Sequence, residues 1–563
     1  MRGMSKAKVN AMGARLRVPR GDLLVGAFGI ACLVATLVPL VLISAYNHSY
    51  ADDWHYGVWA HLVLQDTGNV FLAFVTALEQ AGKAWFDWQG TYSAIFLMAL
   101  EPSVFGEHAY VLAAPIVLAT LVAGTLFFSH VALVELMGAE RGLWLGVSCA
   151  AIAVQLLLQP SPVEGVFWFN SAIYYTTYNA AALALLGCVL RICNPARTRR
   201  PRGVVVASAL LAVFVAGGNF VTALVAAEVL AAILVGLILR GRRSAVAVMP
   251  SFGLAVVGLA VSLAAPGNEV RQQTQFPEDA MGAWDTIWHS ALSAFQYLQQ
   301  WSSGLVLLLV VFAIPVALHV GQRAAAHGWR FPLPGVVAVA SVALFGTSFT
   351  PTFWAQSSVG PGRVQNCRFE MFVVLALVDV FWVCGWLMAR ERARRGDGGV
   401  VSAAASEGSP QAGGLAGASR PAVRDASQAL RPVAAACGLA VLVAACVVGS
   451  MAADQNLGEE LSSVSAARSL VSGQAAAYDA QVWSRLETIE SSTESSLRVP
   501  FYTNVPHVLL MGDIRDNMDN YINYRLCQWY GKESIVGYHA PTTAAATAAL
   551  TTGQSAETSG SGA

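Results

Sequence analysis

The sequence predicts an all-α polytopic membrane protein that ends in a small extracytoplasmic α/β domain. Three observations support this fold class. Hydrophobic residues make up 56% and charged residues 12% of the 563 positions, whereas a soluble domain carries roughly 25% charged residues. Apolar runs recur along most of the chain. A polar stretch with mixed helix and strand signals follows the last of these runs.

The apolar runs have the length of membrane-spanning helices, which need about 20 mostly apolar residues. They predict about eleven spans, at 23–45, 109–133, 142–160, 171–192, 203–218, 220–239, 245–265, 303–321, 333–349, 369–389 and 432–451. Two further segments, 58–80 and 84–100, are predicted to be helices on the outer membrane surface, because the stretch around them is aromatic, amphipathic and flanked by acidic residues.

Arginine and lysine residues predict the orientation of the spans. They are concentrated before the first span and in alternate loops, at 191–202, 240–243, 323–330 and 390–395. Because cytoplasmic loops carry an excess of basic residues, we expect a multi-pass cell-membrane protein with a cytoplasmic N-terminus and an extracytoplasmic C-terminus. The lipid bilayer is its expected environment. The formal net charge of zero predicts no nucleic-acid partner.

These features divide the chain into six predicted segments. They are a basic cytoplasmic leader (1–21), a transmembrane domain with a site in its outer loops (22–395), a disordered cytoplasmic linker rich in Gly, Ala and Ser (396–431), a last transmembrane helix (432–451), a small extracytoplasmic domain (452–541) and a disordered tail (542–563). Within the extracytoplasmic domain, 477–492 has a helical pattern and HVLLMGDI, at 507–514, has the pattern of a strand.

Polar side chains collect where the predicted spans meet the outer surface. The first outer loop contains YADDWHYG, which places Asp52 and Asp53 side by side. Later outer loops and an aromatic surface segment add eleven further candidates: Trp85, Trp168, Asn170, Tyr174, Tyr175, Asn219, Asn268, Glu269, Arg271, Arg363 and Arg368. Polar groups at membrane depth are costly unless they face water or a partner, so their shared level predicts a binding site.

This composition suits a polar, ring-shaped, anionic ligand. Aromatic faces and amides suit sugars, and arginine binds phosphate through two hydrogen bonds. Adjacent carboxylates bind a divalent cation such as Mg²⁺ or Mn²⁺, or one stays ionised while the pKa of its neighbour rises. Simpler explanations exist for the single residues: aromatic residues collect at membrane interfaces, an aspartate pair in a loop is often only solvated, and Asn219 follows two glycines in a turn.

Four short motifs resemble those of a bacterial branch of the GT-C superfamily, the multi-span glycosyltransferases that take sugars from polyprenyl-phosphate donors. The motifs are DDWHYG (52–57), WQGTY (88–92), NSAIYY (170–175) and GNEVR (267–271). The resemblance covers roughly residues 20–390. The chain departs from the branch at Thr91, where an arginine usually follows the glycine of the surface helix.

The resemblance implies a GT-C-like fold and the transfer of a sugar from a polyprenyl-phosphate donor to a glycan or other envelope acceptor on the outer face. It implies three roles: general base or metal ligand for Asp52 or Asp53, donor-phosphate binding for Arg271 and for Arg363 or Arg368, and sugar binding for Trp168, Asn170, Tyr174 and Tyr175. Two alternatives stay open at this point. One is a transporter or flippase of a lipid-linked sugar or another polar solute. The other is a scaffold whose outer domain binds a partner.

Overall fold

The computed structural model describes residues 21–194, 202–276, 281–302, 304–404 and 460–540, without the side chains of 395–404. Most of the predicted leader, the predicted span at 432–451 and the predicted C-terminal tail lie outside these residues. The described chain is mostly helical and contains one pair of strands.

The helices and strands are, in chain order, α1 (Gly21–Ile43), α2 (Asp52–Thr67), α3 (Val70–Asp87), α4 (Tyr92–Met98), α5 (Ala113–Ser129), α6 (Arg141–Leu157), α7 (Phe169–Ala172), α8 (Tyr178–Cys193), α9 (Arg202–Ala216), α10 (Phe220–Leu239), α11 (Ser244–Leu263), α12 (Pro266–Gln275), α13 (Ala283–Trp301), α14 (Gly304–Ala326), α15 (Pro334–Thr347), α16 (Thr350–Gln356), α17 (Gly362–Ala404), α18 (Ser462–Val471), α19 (Gln474–Ser491), β1 (Ser496–Pro500), α20 (Tyr521–Tyr530) and β2 (Ser534–Tyr538). Short 3-10 or π turns extend several of them, at Ser44–Tyr46, Pro102–Phe105, Glu107–Leu112, His130–Leu136, Val163–Phe167 and Ile173–Thr177.

Within the described residues, eight helical stretches are long and apolar enough to cross a membrane. They are Gly21–Tyr46, Glu107–Leu136, Phe169–Cys193, Phe220–Leu239, Ser244–Leu263, Gly304–Ala326, Pro334–Gln356 and Gly362–Arg394. Two other predicted spans correspond to the shorter apolar helices α6 and α9. The protein is therefore a helical, multi-pass membrane protein, and the predicted number of eleven spans stays a prediction.

Close packing of glycines joins the first helix to the membrane domain. Gly26 and Gly29 of α1 lie directly against Gly142 and Gly146 of α6, and a Cβ atom on Gly29 would lie 2.2 Å from the carbonyl oxygen of Gly146. Small residues allow helix backbones to approach this closely in a membrane, where packing replaces the hydrophobic effect as the source of association. This contact fixes α1, and with it the loop that leads into α2.

The prediction of one continuous helix over 58–80 is wrong. α2 ends at Thr67, and the chain turns at Gly68, whose φ of 65° is in the left-handed region. Asn69 then starts α3 by accepting hydrogen bonds from the backbone N–H groups of Phe71 and Leu72. A glycine in the left-handed conformation followed by an asparagine cap is a normal helix end and helix start.

The C-terminal region, residues 460–540, combines helices with a small parallel sheet. α19 confirms the predicted helix at 477–492. Strands β1 and β2 pair in parallel, with Ser496 opposite Ser534. The predicted strand at 507–514 is wrong, because Val508 and Leu509 are instead buried in an apolar cluster with α1, α5 and α6. An apolar run of this length fits either a buried strand or a segment that packs against other helices. Here it packs against the membrane domain.

The C-terminal region is packed against the loop end of the membrane domain. Its helix α20 lies against α2, and together with both strands they share an apolar cluster that includes Trp54, Val58, Leu526 and Trp529. The ring of His61 stacks on the ring of Trp529 at 4.1 Å between centroids. This interface places the start of α20 beside the start of α2.

α17 continues to Ala404 and so extends into the predicted linker.

Candidate functional site

The two adjacent aspartates have different surroundings, and Asp53 is a buried anchor. Its side chain is fully buried. Its two carboxylate oxygens accept four hydrogen bonds, from the backbone N–H of Tyr50 (3.0 Å), the hydroxyl of Tyr110 (2.6 Å), and both the backbone N–H (3.0 Å) and the side-chain amide (2.8 Å) of Asn170. Asp53 therefore ties the start of α2 to two distant segments of the membrane domain.

A second buried carboxyl group, Glu101, lies near Asp53. Burial, and after it the charge of Asp53, raises the pKa of Glu101 well above its usual range. Burial also raises the pKa of Asp53, against the opposing effect of its hydrogen bonds from Tyr110, Tyr50 and Asn170. Because Asp53 has four donors around it, we assign the negative charge to Asp53 and the proton to Glu101.

The residue before the aspartate pair has a strained backbone. Ala51 has φ 51° and ψ −101°, is buried, and precedes α2 directly. A residue with a Cβ atom pays about 1–3 kcal/mol for such a conformation and keeps it only where the surroundings enforce it. Successive residues in a helix are about 100° apart around the axis. The sharp turn at Ala51 therefore directs Asp53 into the protein and leaves Asp52 half-buried.

Arg363, at the start of α17, faces Asp52. The backbone N–H of Arg363 donates to one oxygen of the buried Glu164 at 2.9 Å, and its guanidinium group donates to the other at 3.3 Å. The same guanidinium lies 5.4 Å from the ring centre of Trp168, whose own N–H is held by the carbonyl of Tyr50 at 3.1 Å. The charge of Asp52 acts on Arg363. Two buried residues, Glu164 and Trp168, thus hold a cation that is 27% exposed.

A second arginine, Arg271 on α12, is held by the WQGTY segment. Its guanidinium donates to the side chain of Gln89 and lies 5.4 Å from the ring centre of Trp88. The indole N–H of Trp88 donates to the hydroxyl of Tyr56 at 3.1 Å. The charges of both Asp52 and Arg271 act on Tyr56. Within the described part of the chain, Nε of Arg271 is buried and has no hydrogen-bond partner.

Asn268 and Asn219 hold the backbone around these residues. The side chain of Asn268 accepts from the N–H of Gly90 at 3.0 Å and donates to the carbonyl of Ser262 at 2.7 Å. Asn219 caps α10 by accepting from the N–H of Thr222 and donates to the carbonyl of Tyr174 at 2.7 Å. Both asparagines have their hydrogen-bonding groups engaged with backbone, so we assign them to positioning of the site and not to ligand binding.

Two neighbouring tyrosines lie between the arginines. The rings of Tyr174 and Tyr175 are 4.7 Å apart in an edge-on arrangement. The charges of Arg271 and Arg363 both act on each of these tyrosines. This arrangement connects the two cations and the aspartate into one group of side chains. We call it the Asp52 site and define it as Asp52, Tyr56, Trp88, Tyr174, Tyr175, Arg271 and Arg363.

The Asp52 site has one carboxylate, two guanidinium groups and several aromatic rings. Six of its seven side chains are half-buried and only Tyr56 is buried, so most of them retain contact with solvent. Guanidinium groups bind phosphate, aromatic faces bind sugar rings, and a carboxylate accepts a proton. The site is therefore equipped to bind an anionic, ring-containing ligand and to take up a proton beside it.

A divalent cation held by both aspartates does not fit this arrangement. Both oxygens of Asp53 already accept hydrogen bonds from N–H and O–H donors, and a cation would have to displace them. Among the residues that the structure describes, no group of three or more His, Cys, Asp or Glu side chains is placed to hold a metal ion.

Three predicted site residues make their hydrogen bonds with residues outside the Asp52 site. Arg368 is fully buried, donates to the carbonyl of Ser348 and lies 4.0 Å from the ring centre of Phe349. Glu269 is exposed and accepts a hydrogen bond from Gln273 on its own helix. The third, Trp85, donates to a carbonyl oxygen of α11 at 3.1 Å. None of the three contacts a residue of the Asp52 site through these bonds. Trp168 and Asn170 reach the site indirectly, through Arg363 and Asp53.

The sequence did not predict several residues that belong to the Asp52 site or contact it. Trp88 and Gln89 belong to the WQGTY motif, which indicated their region but not their contact with Arg271. Tyr521, in the C-terminal region, donates a hydrogen bond to Asp52 at 2.6 Å. Its segment, GDIRDNMDNYINY, is rich in acids and amides, and this was a weak signal for a function.

A large apolar cavity lies apart from the Asp52 site. A cavity of about 1020 Å³ lies between α1, α6, α14 and α18, and its lining includes Phe28, Leu157, Phe312 and Val471. None of the residues of the Asp52 site lines it.

The fold and the site define a helical multi-pass membrane protein with a mixed-charge, aromatic site next to its first loop. Comparisons with models of protein families and with curated proteins found no match.

Proposed function

We propose that the protein is a membrane glycosyltransferase of the GT-C type, which moves a sugar from a polyprenyl-phosphate donor to a cell-envelope acceptor. The observation that carries the proposal is that Arg363 lies over Trp168, whose indole N–H donates to the carbonyl of Tyr50, two residues before Asp52. The charge of Asp52 acts on Arg363, and Arg271 and Arg363 both act on Tyr174 and Tyr175. Transfer from a lipid phosphate requires a proton acceptor and cations for the leaving phosphate within one site. The Asp52 site supplies both.

Asp52 is the proposed general base. Its half-buried position gives an acceptor hydroxyl access to the carboxylate, whereas Asp53 is fully buried. In the proposed step, the carboxylate takes the proton of the acceptor hydroxyl while the hydroxyl oxygen bonds to the anomeric carbon of the sugar. The bond between that carbon and the phosphate oxygen breaks, and its electron pair leaves with the polyprenyl phosphate.

Arg271 and Arg363 are the proposed phosphate ligands. The phosphate gains negative charge as the glycosidic bond breaks, and cations already in place stabilise that charge more in the transition state than in the ground state. Glu164 and Trp168 hold Arg363, and Gln89 and Trp88 hold Arg271. Because both groups are held before the ligand arrives, little reorganisation accompanies the reaction.

The aromatic residues are the proposed sugar-binding surface. Trp88, Tyr174 and Tyr175 are half-buried and lie beside the arginines. A sugar bound against their rings would have its phosphate near the guanidinium groups and its anomeric carbon near Asp52. The lipid chain of the donor would enter sideways between helices. The predicted cytoplasmic position of the basic loops supports a reaction on the outer face of the membrane.

The test is a transfer assay with the full-length protein in proteoliposomes. A panel of radiolabelled polyprenyl-phosphate sugars is incubated with the protein and a cell-envelope fraction, and label in the envelope fraction is measured. We expect one donor to be consumed, and Asp52→Asn to lower its transfer at least about 100-fold. Asp66→Asn, an exposed position near the other end of α2, is the matched control and should transfer at the wild-type rate.

Two results would contradict the proposal. Equal rates for Asp52→Asn and the wild type would remove the assigned base. Movement of label from one leaflet to the other, without release of polyprenyl phosphate, would instead support the alternative of a flippase.

A further inference from the structure

A side chain of the C-terminal region reaches into the Asp52 site. The hydroxyl group of Tyr521 donates a hydrogen bond of 2.6 Å to Oδ1 of Asp52, across 469 positions of sequence. Within the described residues, no hydrogen bond reaches the second oxygen, Oδ2. One oxygen of Asp52 is thus held by the C-terminal region, and the other is left for a ligand.

The position of Tyr521 is fixed by the structure around it. It is the first residue of α20, whose start is capped by Asn520 accepting from the N–H of Ile522 at 2.9 Å. The side chain of Asn523 donates to the carbonyls of Arg515 and Ile535, at 2.8 Å in both cases. These bonds tie α20 to the chain before it and to β2. The stacked pair of His61 and Trp529 then fixes α20 against α2.

The ring of Tyr521 is in contact with a cation. The guanidinium group of Arg525, one turn further along α20, lies 4.9 Å from the ring centre of Tyr521 and 5.1 Å from that of Tyr524. The charge of Arg525 also acts on His55, one turn after the start of α2. Both helices therefore contribute groups to the surroundings of the aspartate, and Tyr521 is the one that touches it.

We propose that Tyr521 is a positioning residue for Asp52, so that the C-terminal region completes the site. This inference rests on the function proposed above, in which Asp52 is the base. The hydrogen bond stabilises the ionised carboxylate and leaves Oδ2 to accept the proton of the acceptor hydroxyl. Tyr521 keeps its own proton throughout this step, so proton transfer involves only the acceptor and Asp52.

The electrostatics of the pair agree with this role. Burial raises the pKa of Tyr521, and the charge of Asp52 and the hydrogen bond to it raise it further. The tyrosine is therefore a donor at any physiological pH. Burial lowers the pKa of His55 to about 4. His55 is therefore neutral and does not supply the charge that Asp52 faces.

The titration of Asp52 reports on the hydrogen bond. The titratable and charged groups that face Asp52 are Tyr50 before the helix, Asp53, His55 and Tyr56 on its own helix, Arg363 on α17, and Tyr521 with Arg525 on α20. Only Tyr521 among them donates a hydrogen bond to the Asp52 carboxylate in the described structure. Removing that hydroxyl should make the ionised form less stable and raise the pH at which Asp52 titrates.

The test measures this titration without any substrate. Full-length protein in nanodiscs is treated with a water-soluble carbodiimide and an amine from about pH 4 to about pH 8, and labelling of Asp52 is quantified by peptide mass spectrometry. Carbodiimides react with protonated carboxyl groups. We expect Tyr521→Phe to raise the half-labelling pH of Asp52 by about one unit, since hydrogen bonds to charged groups are worth about that much.

Tyr524→Phe, the other tyrosine under Arg525, is the matched control and should titrate like the wild type. Tyr521→Leu, which removes the ring as well as the hydroxyl, should repeat the shift. The proposal is overturned if Asp52 titrates at the same pH in Tyr521→Phe, Tyr521→Leu and the wild type. Because labelling requires neither donor nor acceptor, this outcome is separate from a failure of the transferase proposal.

Discussion

Asn170 donates two hydrogen bonds to a single oxygen of Asp53, from its backbone N–H at 3.0 Å and from its side-chain amide at 2.8 Å. The two residues are 117 positions apart and both are buried. This pair connects the first loop to the segment that carries Trp168 and Tyr174. The geometry of the Asp52 site therefore depends on an aspartate that does not itself face the site.

The Asp53→Asn variant is expected to be unstable. An asparagine has one acceptor oxygen and an NH₂ group, so it cannot accept all four hydrogen bonds and would present donors to donors. Loss of charged hydrogen bonds at a buried position costs about 3 kcal/mol. Thermal unfolding in detergent measures this. Asp52→Asn is the matched control, and an unchanged melting temperature in Asp53→Asn would contradict the anchoring role.

The strained residue Ala51 gives a prediction of opposite sign. Glycine adopts a positive φ without the Cβ clash, at a cost of about 0.5–1 kcal/mol in chain entropy, while the strain it relieves is about 1–3 kcal/mol. Ala51→Gly should therefore stabilise the protein by about 1 kcal/mol. The measurement is again the melting temperature. Ala60→Gly, inside α2, is the control, and it should lower the melting temperature.

Two arginines on α17 should respond differently to the same substitution. Arg363→Lys keeps a charge but loses the planar group that binds phosphate and lies over Trp168, so we expect the KM for the donor to rise about tenfold with little change in the melting temperature. Arg368→Lys should instead lower the melting temperature, because a lysine cannot reach all the carbonyl groups that Arg368 binds. Steady-state kinetics and thermal unfolding separate the two effects. Equal loss of donor binding in both variants would contradict the assignment.

The contact of the C-terminal region with the membrane domain should depend on pH through His48. Its ring nitrogens lie 3.1 Å from Glu107 and 2.8 Å from Asp479 of α19. Burial alone would lower the pKa of His48, but the hydrogen bonds and charges of the two acids outweigh it and the pKa is raised above 6.5. A raised pKa means that the stabilisation is fully present below about pH 6.5 and is lost as the pH rises through the pKa of the folded protein.

Limited proteolysis of the C-terminal region measures this dependence. We expect cleavage to become faster as the pH rises from about 6 to about 9, beyond the change in protease activity seen with an unstructured substrate. His48→Gln should make the rate nearly independent of pH over this range. An unchanged pH dependence in that variant would exclude His48 as the cause.

The sequence predicted the membrane helices well and their number less certainly. Every predicted span within the described residues corresponds to an apolar helix, because a bilayer demands long runs of apolar residues that are visible locally. The helices α6 and α9 are shorter than the spans predicted for them. An apolar run in the sequence does not show where a helix begins and ends. The prediction of a strand at 507–514 was wrong. An apolar run shows that a segment is buried, but it does not show whether the segment packs in a sheet or against helices.

For the site, the sequence predicted the residue types but not which of two similar residues is accessible. The Asp-Asp pair was visible, but only the strained turn at Ala51 and the donors around Asp53 decide which aspartate is accessible. Arg363 and Arg368 are both arginines at the start of α17. They point in different directions because five residues correspond to about 140° around a helix, so that one faces Asp52 and the other an apolar core.

The sequence by itself determined that this is a helical membrane protein and predicted that its polar and aromatic residues collect in the loops on one side of the membrane. Both properties follow from local composition, since each segment must individually suit either lipid or water. The tertiary structure alone decided that Asp52 accepts a hydrogen bond from Tyr521, that its charge acts on Arg363, and that Arg271 lies over Trp88. Contacts between residues hundreds of positions apart depend on how helices pack, and no local pattern in the chain encodes that packing.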